Sequence, residues 1–414
     1  MKSIKKIVAM FIALLMLTAL VGGCASPSAT AEPTAAPAAE TQAPADPGAA
    51  ESPVAAPAGE PIKIGYVSAL SGDTALWGQA GLNGMLLGAE QINANGGILG
   101  RPVQIVGLDG KGDPADSVSA YKKLVEEEGV VAVVGTNFSS CNIPIAAVAD
   151  ELKVPVIATA ASNEKVTVDE SGKLHPYSFR LCFIDSFQGT VIGRYAAVQR
   201  GFKKGAIITD ITDAYSTGVG SYIAESFAAN GGTMVASEQA QSGDNDFRAQ
   251  LTKIAAAEPD VLFIPWIYQN VALIAKQARE LGINCVMLGT DGWDSNELAD
   301  LAGGALEGCS YVSRIGFNTH EAKAYAKEYE AKYNIAVEAE CLFGNDGLYW
   351  IKDAIERANS TEPTAIRDAL ENTNTFTGLL GTMKMDAATH NPQRECAIFT
   401  CTNGVFEFKE IFAA

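Results

Sequence analysis

Histidine is scarce in this chain: His175, His320 and His390 are the 3 among 414 residues, and none adjoins a nucleophile motif. A G-x-S-x-G elbow, a P-loop and a G-x-G-x-x-G turn are also absent, so no hydroxyl has a histidine base beside it and no loop cradles a phosphate. The chain is accordingly not read as an enzyme, and no cofactor is expected. No C-x-x-C pair or mixed Cys/His spacing is present, which leaves no metal site to propose. Cations are outnumbered, with 30 Lys and Arg against 48 Asp and Glu. The resulting net charge of −18 and pI near 4.6 repel phosphate backbones and anionic lipid, so nucleic acid is excluded as a partner.

Long apolar runs are missing as well. The run from Ile7 to Val21, preceded by Lys2, Lys5 and Lys6, is too short to span a bilayer comfortably and stands where a secretory signal sits. It ends in "LVGGC", which resembles the lipobox of bacterial lipoproteins, with Cys24 as the residue that is lipidated and becomes the mature N-terminus. Residues 1–23 are therefore expected to be a signal peptide and the mature protein to be extracytoplasmic, anchored to the cell membrane by acyl chains. From 24 to 60 the chain is almost wholly Ala, Pro, Ser, Thr, Glu and Gly. Such a segment buries too little surface to offset its ordering entropy. It reads as a tether reaching on the order of 35 Å.

The remainder is globular in composition and longer than one typical core, which predicts two lobes. Short apolar runs, "IKIGYVSAL", "VQIVGLD", "VVAVVG", "VPVIATA", "GAIITD", "DVLFIPW" and "NCVMLGT", read as strands. Segments of helical period such as "GLNGMLLGAEQINAN" and "NVALIAKQARELG" stand between them. Continuous Val/Ile runs separated by helices predict parallel sheets covered on both faces. Ligands of such sheets bind beyond the carboxyl ends of the strands. The stretch "GTNFSSC" is the loop leaving one of those ends.

From Pro61 onward the chain resembles the periplasmic binding proteins of the leucine/isoleucine/valine type, the extracytoplasmic receptors of branched-chain amino acid ABC importers. The resemblance rests on "IKIGYVSALSGDTALWGQAGLNGMLLGAEQINANGGILGRPVQIV", "VVAVVGTNFSS", "VPVIATAASNE", "FRLCFIDSFQG", "DFRAQLTKI", "AKQARELG" and "LGTDGW", in this order and spacing. It implies an α/β fold of the type I periplasmic binding class: two doubly wound parallel-sheet lobes joined by a three-strand hinge. Lobe one would comprise 61–181 plus 312–390 and lobe two 182–311 plus 391–414. A monomer is implied, with a small amino acid, branched-chain or otherwise hydrophobic, as ligand and an ABC permease with its ATPase as partners. The same fold binding an aromatic acid or amide, or serving as a ligand sensor, stays open.

A zwitterion entering a dry cleft needs hydroxyl and amide donors for its carboxylate and a carboxylate for its ammonium. The resemblance assigns the first task to Ser139, ahead of Ser140, although both serines also suit the cap of the next helix. Ser162 aligns with a threonine that touches both ligand ends, and Ala160 and Ala161 offer backbone groups. Asp291 stands where the family places an acid for the ammonium; read alone, it is also an Asp-Gly turn. With no cation beside it such a carboxylate is costly to bury, and a bound ammonium would remove the cost. Tyr215 matches a lobe-two tyrosine that meets the ligand on closure. Trp77, Phe138, Trp266, Tyr268 and Trp293 are expected to line the side-chain pocket, unless they are core. Cys285 and Cys309, near the starts of two successive apolar segments, are candidates for a bridge. Cys396 and Cys401 read as sharing one strand, too far apart to pair.

Overall fold

The computed structural model describes residues 56–314 and 319–412. The expected signal segment, Cys24 and the tether up to residue 55 lie outside the described residues. The first part of the chain runs β1 (Ile62–Ser68), α1 (Ala75–Ala94), β2 (Val103–Asp109), α2 (Pro114–Glu126), β3 (Val133–Val134), α3 (Ser139–Leu152), β4 (Val156–Ala158) and β5 (Ser178–Arg180). It continues through α4 (Asp185–Arg194), β6 (Lys204–Asp210), α5 (Ala214–Ala229), β7 (Thr233–Ala240), α6 (Arg248–Ala256), β8 (Val261–Phe263), α7 (Tyr268–Glu280), β9 (Val286–Gly289), α8 (Leu298–Ala302) and β10 (Ser310–Ser313). The last part holds α9 (His320–Tyr333), α10 (Ala339–Ala358), α11 (Pro363–Glu371), β11 (Phe376–Gly378), β12 (Gly381–Asp386), β13 (Asn391–Gln393), β14 (Cys396–Thr402) and β15 (Val405–Phe412).

Two large sheets repeat one topology. The first has the order β2-β1-β3-β4-β5, with every pair parallel. The second contains the same order as β7-β6-β8-β9-β10, also parallel, and is extended by antiparallel β14 and β15. Strand order reverses beside β1 and beside β6, and the crevice at such a switch point is where doubly wound sheets bind ligands. The strands read as continuous apolar runs because helices cover both faces: β1 is buried along nearly its whole length.

The C-terminal half returns to the first sheet before leaving it again. Helices α10 and α11 share a core with β1 and β5 side chains, including Ile64, Phe179, Trp350 and Ile366. Strand β13 pairs with β12 in a small antiparallel sheet, whereas β14 joins the second large sheet. The chain thus passes between sheets after β5, after β10 and after β13. Residues 312–313 complete β10, and residues 391–393 still belong to the small sheet.

Helices α1 and α10 pack against each other at bare backbone. A Cβ on Gly344 would land on the carbonyl oxygen of Gly81, and one on Gly84 on that of Cys341. Only hydrogen side chains allow this approach. It fixes the starts of both helices, where Trp77 and Glu340 stand.

The cysteine bridge considered from sequence does not form. Cys285 and Cys309 flank neighbouring strands but both are free thiols; the Cys309 sulfur instead accepts from Met287 N–H at 3.3 Å. Cys396 and Cys401 do share β14.

Candidate functional site

The carboxyl ends of the two large sheets face one cavity. Lobe one contributes Trp77, Asn137, Phe138, Ser139, Ala160 and Glu340, lobe two contributes Asp213, Tyr215, Ile267, Asp291 and Gly292, and Arg314 enters from the crossing after β10. The fit is tight. The cavity volume of about 20 Å³ open to water is close to what one water molecule needs. A larger space of about 600 Å³ at the crossings, lined by Cys182, Phe183, Arg314 and Arg394, lacks this convergence of strand-end loops.

"GTNFSSC" adopts the shape its composition allows. Gly135 takes a φ of 121°, and a Cβ there would meet the Val67 carbonyl, so glycine alone lets the loop fold back along β1. That return places Asn137 beside Ser68, whose hydroxyl donates to Asn137 Oδ1 at 2.8 Å. Ser139 opens α3, and its Oγ accepts from Asn163 N–H at 3.2 Å. At the start of α3 the N–H groups of Ser139 and Ser140 precede the first backbone bonds, which Cys141 and Asn142 give to the Phe138 carbonyl.

Several contacts tie the lobes together around the cavity. Ser140 Oγ donates to Asp213 Oδ1 at 3.2 Å, Asn163 Nδ2 donates to the Ala214 carbonyl at 2.8 Å, and the Trp77 ring lies 5.0 Å from that of Tyr268. Asp213 also caps α5 through Tyr215 N–H, and burial pushes its carboxyl up to about 6.

Charge gathers around Arg314. Its guanidinium lies 3.4 Å from Asp291, 3.5 Å from Glu340 and 3.8 Å from Asp294, and it stacks 4.3 Å from the Phe343 ring. Asp291, expected to need a bound ammonium to offset its burial, has the Arg314 cation beside it. Burial raises the Asp291 carboxyl above its ordinary range, with Arg314 opposing the shift. Glu340 is pushed up to about 7, by burial first, with Arg314 pulling the other way and Asp294 and Asp291 adding to the rise. One cation faces more than one buried acid. The cluster is therefore short of positive charge.

Each sequence-derived residue has a definite place. Ser139, Ala160, Phe138, Trp77, Tyr215 and Asp291 meet at the cavity. Ser140 reaches Asp213 instead. Ser162 stands behind the wall, accepting from Gln188 Nε2 at 3.2 Å, while Gln188 Oε1 accepts from Asp291 N–H at 3.2 Å. The Ala161 carbonyl is taken by Arg180 at 3.0 Å. The Tyr215 hydroxyl accepts from Gly292 N–H at 2.9 Å.

Trp266 and Trp293 turn away from the cavity. Their indole N–H groups donate to the carbonyls of Ile208 and Ile264, and their rings pack on Phe247 and Tyr311 within lobe two. Apolar strand ends made core rings look like pocket rings. Tyr268 backs Trp77 and donates to Glu297.

Arg314, Glu340, Asn137, Asp213 and Ile267 were not singled out from sequence. The signal for Glu340 was an acid inside the apolar helix "AECLFGNDGLYW". Arg314 directly follows the buried strand "SYVS".

Two α/β lobes whose strand-end loops meet at a buried, polar cleft define a clam-shell for a small solute. The sequence pattern of the periplasmic binding proteins matches residues 61–405, and the chain belongs to that family, with the type I fold. It is 30% identical over 316 residues to the Leu/Ile/Val-binding protein BraC3 of Rhizobium johnstonii, covering 75% of this chain and 84% of that one. An amino acid binding protein of Pseudomonas aeruginosa is 32% identical over 75% of this chain and 82% of its own. Among solved structures, LivJ of Streptococcus pneumoniae in complex with isoleucine superposes with a TM-score of 0.77 at 30% identity, over 85% of this chain and 99% of that one.

Proposed function

We propose that the protein captures a small α-amino acid, branched-chain or otherwise hydrophobic, between its two lobes and delivers it to an ABC permease from an acyl anchor outside the cell membrane. The observation that carries this reading is the Arg314 cluster. Asp291 and Glu340, from opposite lobes, share one guanidinium, and an ammonium arriving beside them offsets the surplus negative charge. Ser139 Oγ and the first N–H groups of α3 then take the carboxylate, and Trp77, Phe138 and Ile267 wall the side chain. Contacts from both lobes give the closed form the differential affinity that closure requires. The relatives that bind Leu, Ile and Val or carry isoleucine support the same ligand class.

Thermal shift of the purified protein against the twenty amino acids and small aromatic acids and amides tests this. A ligand at a hundred times its Kd stabilises by about 2.7 kcal/mol. A shift with Leu, Ile or Val supports the zwitterion site. A shift with aromatic acids or amides alone keeps the clam-shell and removes the ammonium role from Asp291 and Glu340.

A further inference from the structure

Two donors on the side-chain wall have no partner among the described residues: Trp77 Nε1 and Asn137 Nδ2. Trp77 is 6% exposed and Asn137 8%, and both line the cavity. Buried N–H groups are rarely left unpaired, because losing water without replacing its hydrogen bond is costly. Neither donor is idle through disorder of its side chain. The Asn137 amide is anchored by its other end, since Oδ1 accepts from Ser68 Oγ at 2.8 Å, which leaves the NH₂ as the end without a partner. The Trp77 ring is held between Phe138 and Tyr268, at 6.2 and 5.0 Å.

A wholly aliphatic side chain would seal both donors away from water with nothing to accept from them. We infer that the wall is built for a short side chain bearing a neutral hydrogen-bond acceptor near its β-carbon, a hydroxyl or a small carboxamide oxygen, in preference to the isosteric hydrocarbon. This inference rests on the α-amino-acid site proposed above and replaces the hydrophobic side chain of that reading with a polar one of similar size. Length is restricted by the rings of Trp77 and Phe138, which stand at the cavity. A second carboxylate is disfavoured, because Asp291 and Glu340 already share one guanidinium and the Asp213 side chain stands at the same cavity. Threonine is the natural probe: it matches valine in shape and differs in one hydroxyl.

Calorimetric titration of the full chain with Thr, Val, Ser, Ala, Asn and Leu decides the matter. Threonine should bind about 10- to 100-fold more tightly than valine, the range for leaving a buried donor unpaired. Trp77→Phe keeps the ring and removes the N–H, and Asn137→Leu removes the amide; each should reduce the Thr/Val ratio several-fold, chiefly by weakening threonine. Val and Thr binding within about threefold of each other, or a ratio untouched in Trp77→Phe, would overturn the inference while leaving an amino-acid site in place. Silence from every amino acid would overturn it together with the reading it rests on. Asn137→Leu is scored only against Trp77→Phe, so a folding defect in the first cannot pass for support.

Discussion

Arg314 ties the lobes together through two acids: Asp291 of lobe two lies 3.4 Å from its guanidinium and Glu340 of lobe one 3.5 Å. Removing one member of a buried, hydrogen-bonded charge set costs about 2–5 kcal/mol. Asp291→Asn keeps the shape and the Asp291 backbone contact to Gln188 while deleting the charge. Amino-acid affinity should fall by about 30-fold or more, read by calorimetry. An unchanged Kd would strip Asp291 of any part in holding the ammonium.

The buried acids also make binding depend on pH, with a definite sign. Glu340 is pushed up to about 7 and Glu338 to about 8, burial being the first cause in both. In the folded protein these carboxyls keep protons that the unfolded chain releases above about 4.5, so ligand-free stability is greatest below that pH and falls as pH rises through 7 to 8. An ammonium beside Glu340 favours the ionised form, so affinity should weaken as pH drops below about 7, and bound ligand should flatten the loss of Tm at higher pH. Melting curves and titrations from pH 5 to 9 check both statements, with Glu340→Gln as the control that loses most of the pH dependence of affinity while keeping the part of the stability slope that Glu338 supplies. Equal Kd values at pH 5.5 and 8 would rule out a role for Glu340 ionisation.

What sequence made legible follows from which interactions are local. Continuous Val/Ile runs announce buried parallel strands, and a loop such as "GTNFSSC" after one of them announces a strand end, so both sheets and the positions of Ser139 and Asp291 could be read in advance. Arg314 and Glu340 could not. Their meaning comes from the crossing after β10 and from the α1–α10 packing, which bring residues distant in sequence to one point. Trp266 and Trp293 misled for the complementary reason: an aromatic at a strand end can turn toward the cleft or into the core, and the carbonyls that capture their indoles, Ile208 and Ile264, lie elsewhere in the chain.

Closure itself can be weakened without touching the Arg314 cluster. Ser140 Oγ donates across the cleft to Asp213, a hydrogen bond to a half-buried acid. Ser140→Ala should cost about 1.5–3 kcal/mol of closed-state stability. The closed population would shrink, lowering affinity roughly 10- to 100-fold while the Thr/Val ratio stays fixed, because the side-chain wall is unaltered. Small-angle scattering with and without ligand should show a higher ligand concentration needed for compaction. A variant that binds as tightly as the native protein would place this contact outside the closing equilibrium.

The helix crossing offers a separate test of how the site is held. Gly344 of α10 presses on the Gly81 carbonyl of α1, and Gly84 of α1 on the Cys341 carbonyl of α10, so a methyl group at either position must push the helices apart. Overpacking of this kind typically costs about 1–3 kcal/mol. Gly344→Ala should therefore lower the Tm, and because Trp77 and Glu340 stand near the starts of the separated helices, ligand affinity should fall with it. Gly304, at a φ of 87° with open space around it, is the contrasting position: Gly304→Ala strains only the local backbone and should lower Tm while leaving Kd unchanged. Loss of affinity in both variants would mean that global stability, and not the α1–α10 spacing, governs the cleft; loss in Gly344→Ala alone would assign the spacing a direct part in presenting Trp77 and Glu340 to the ligand.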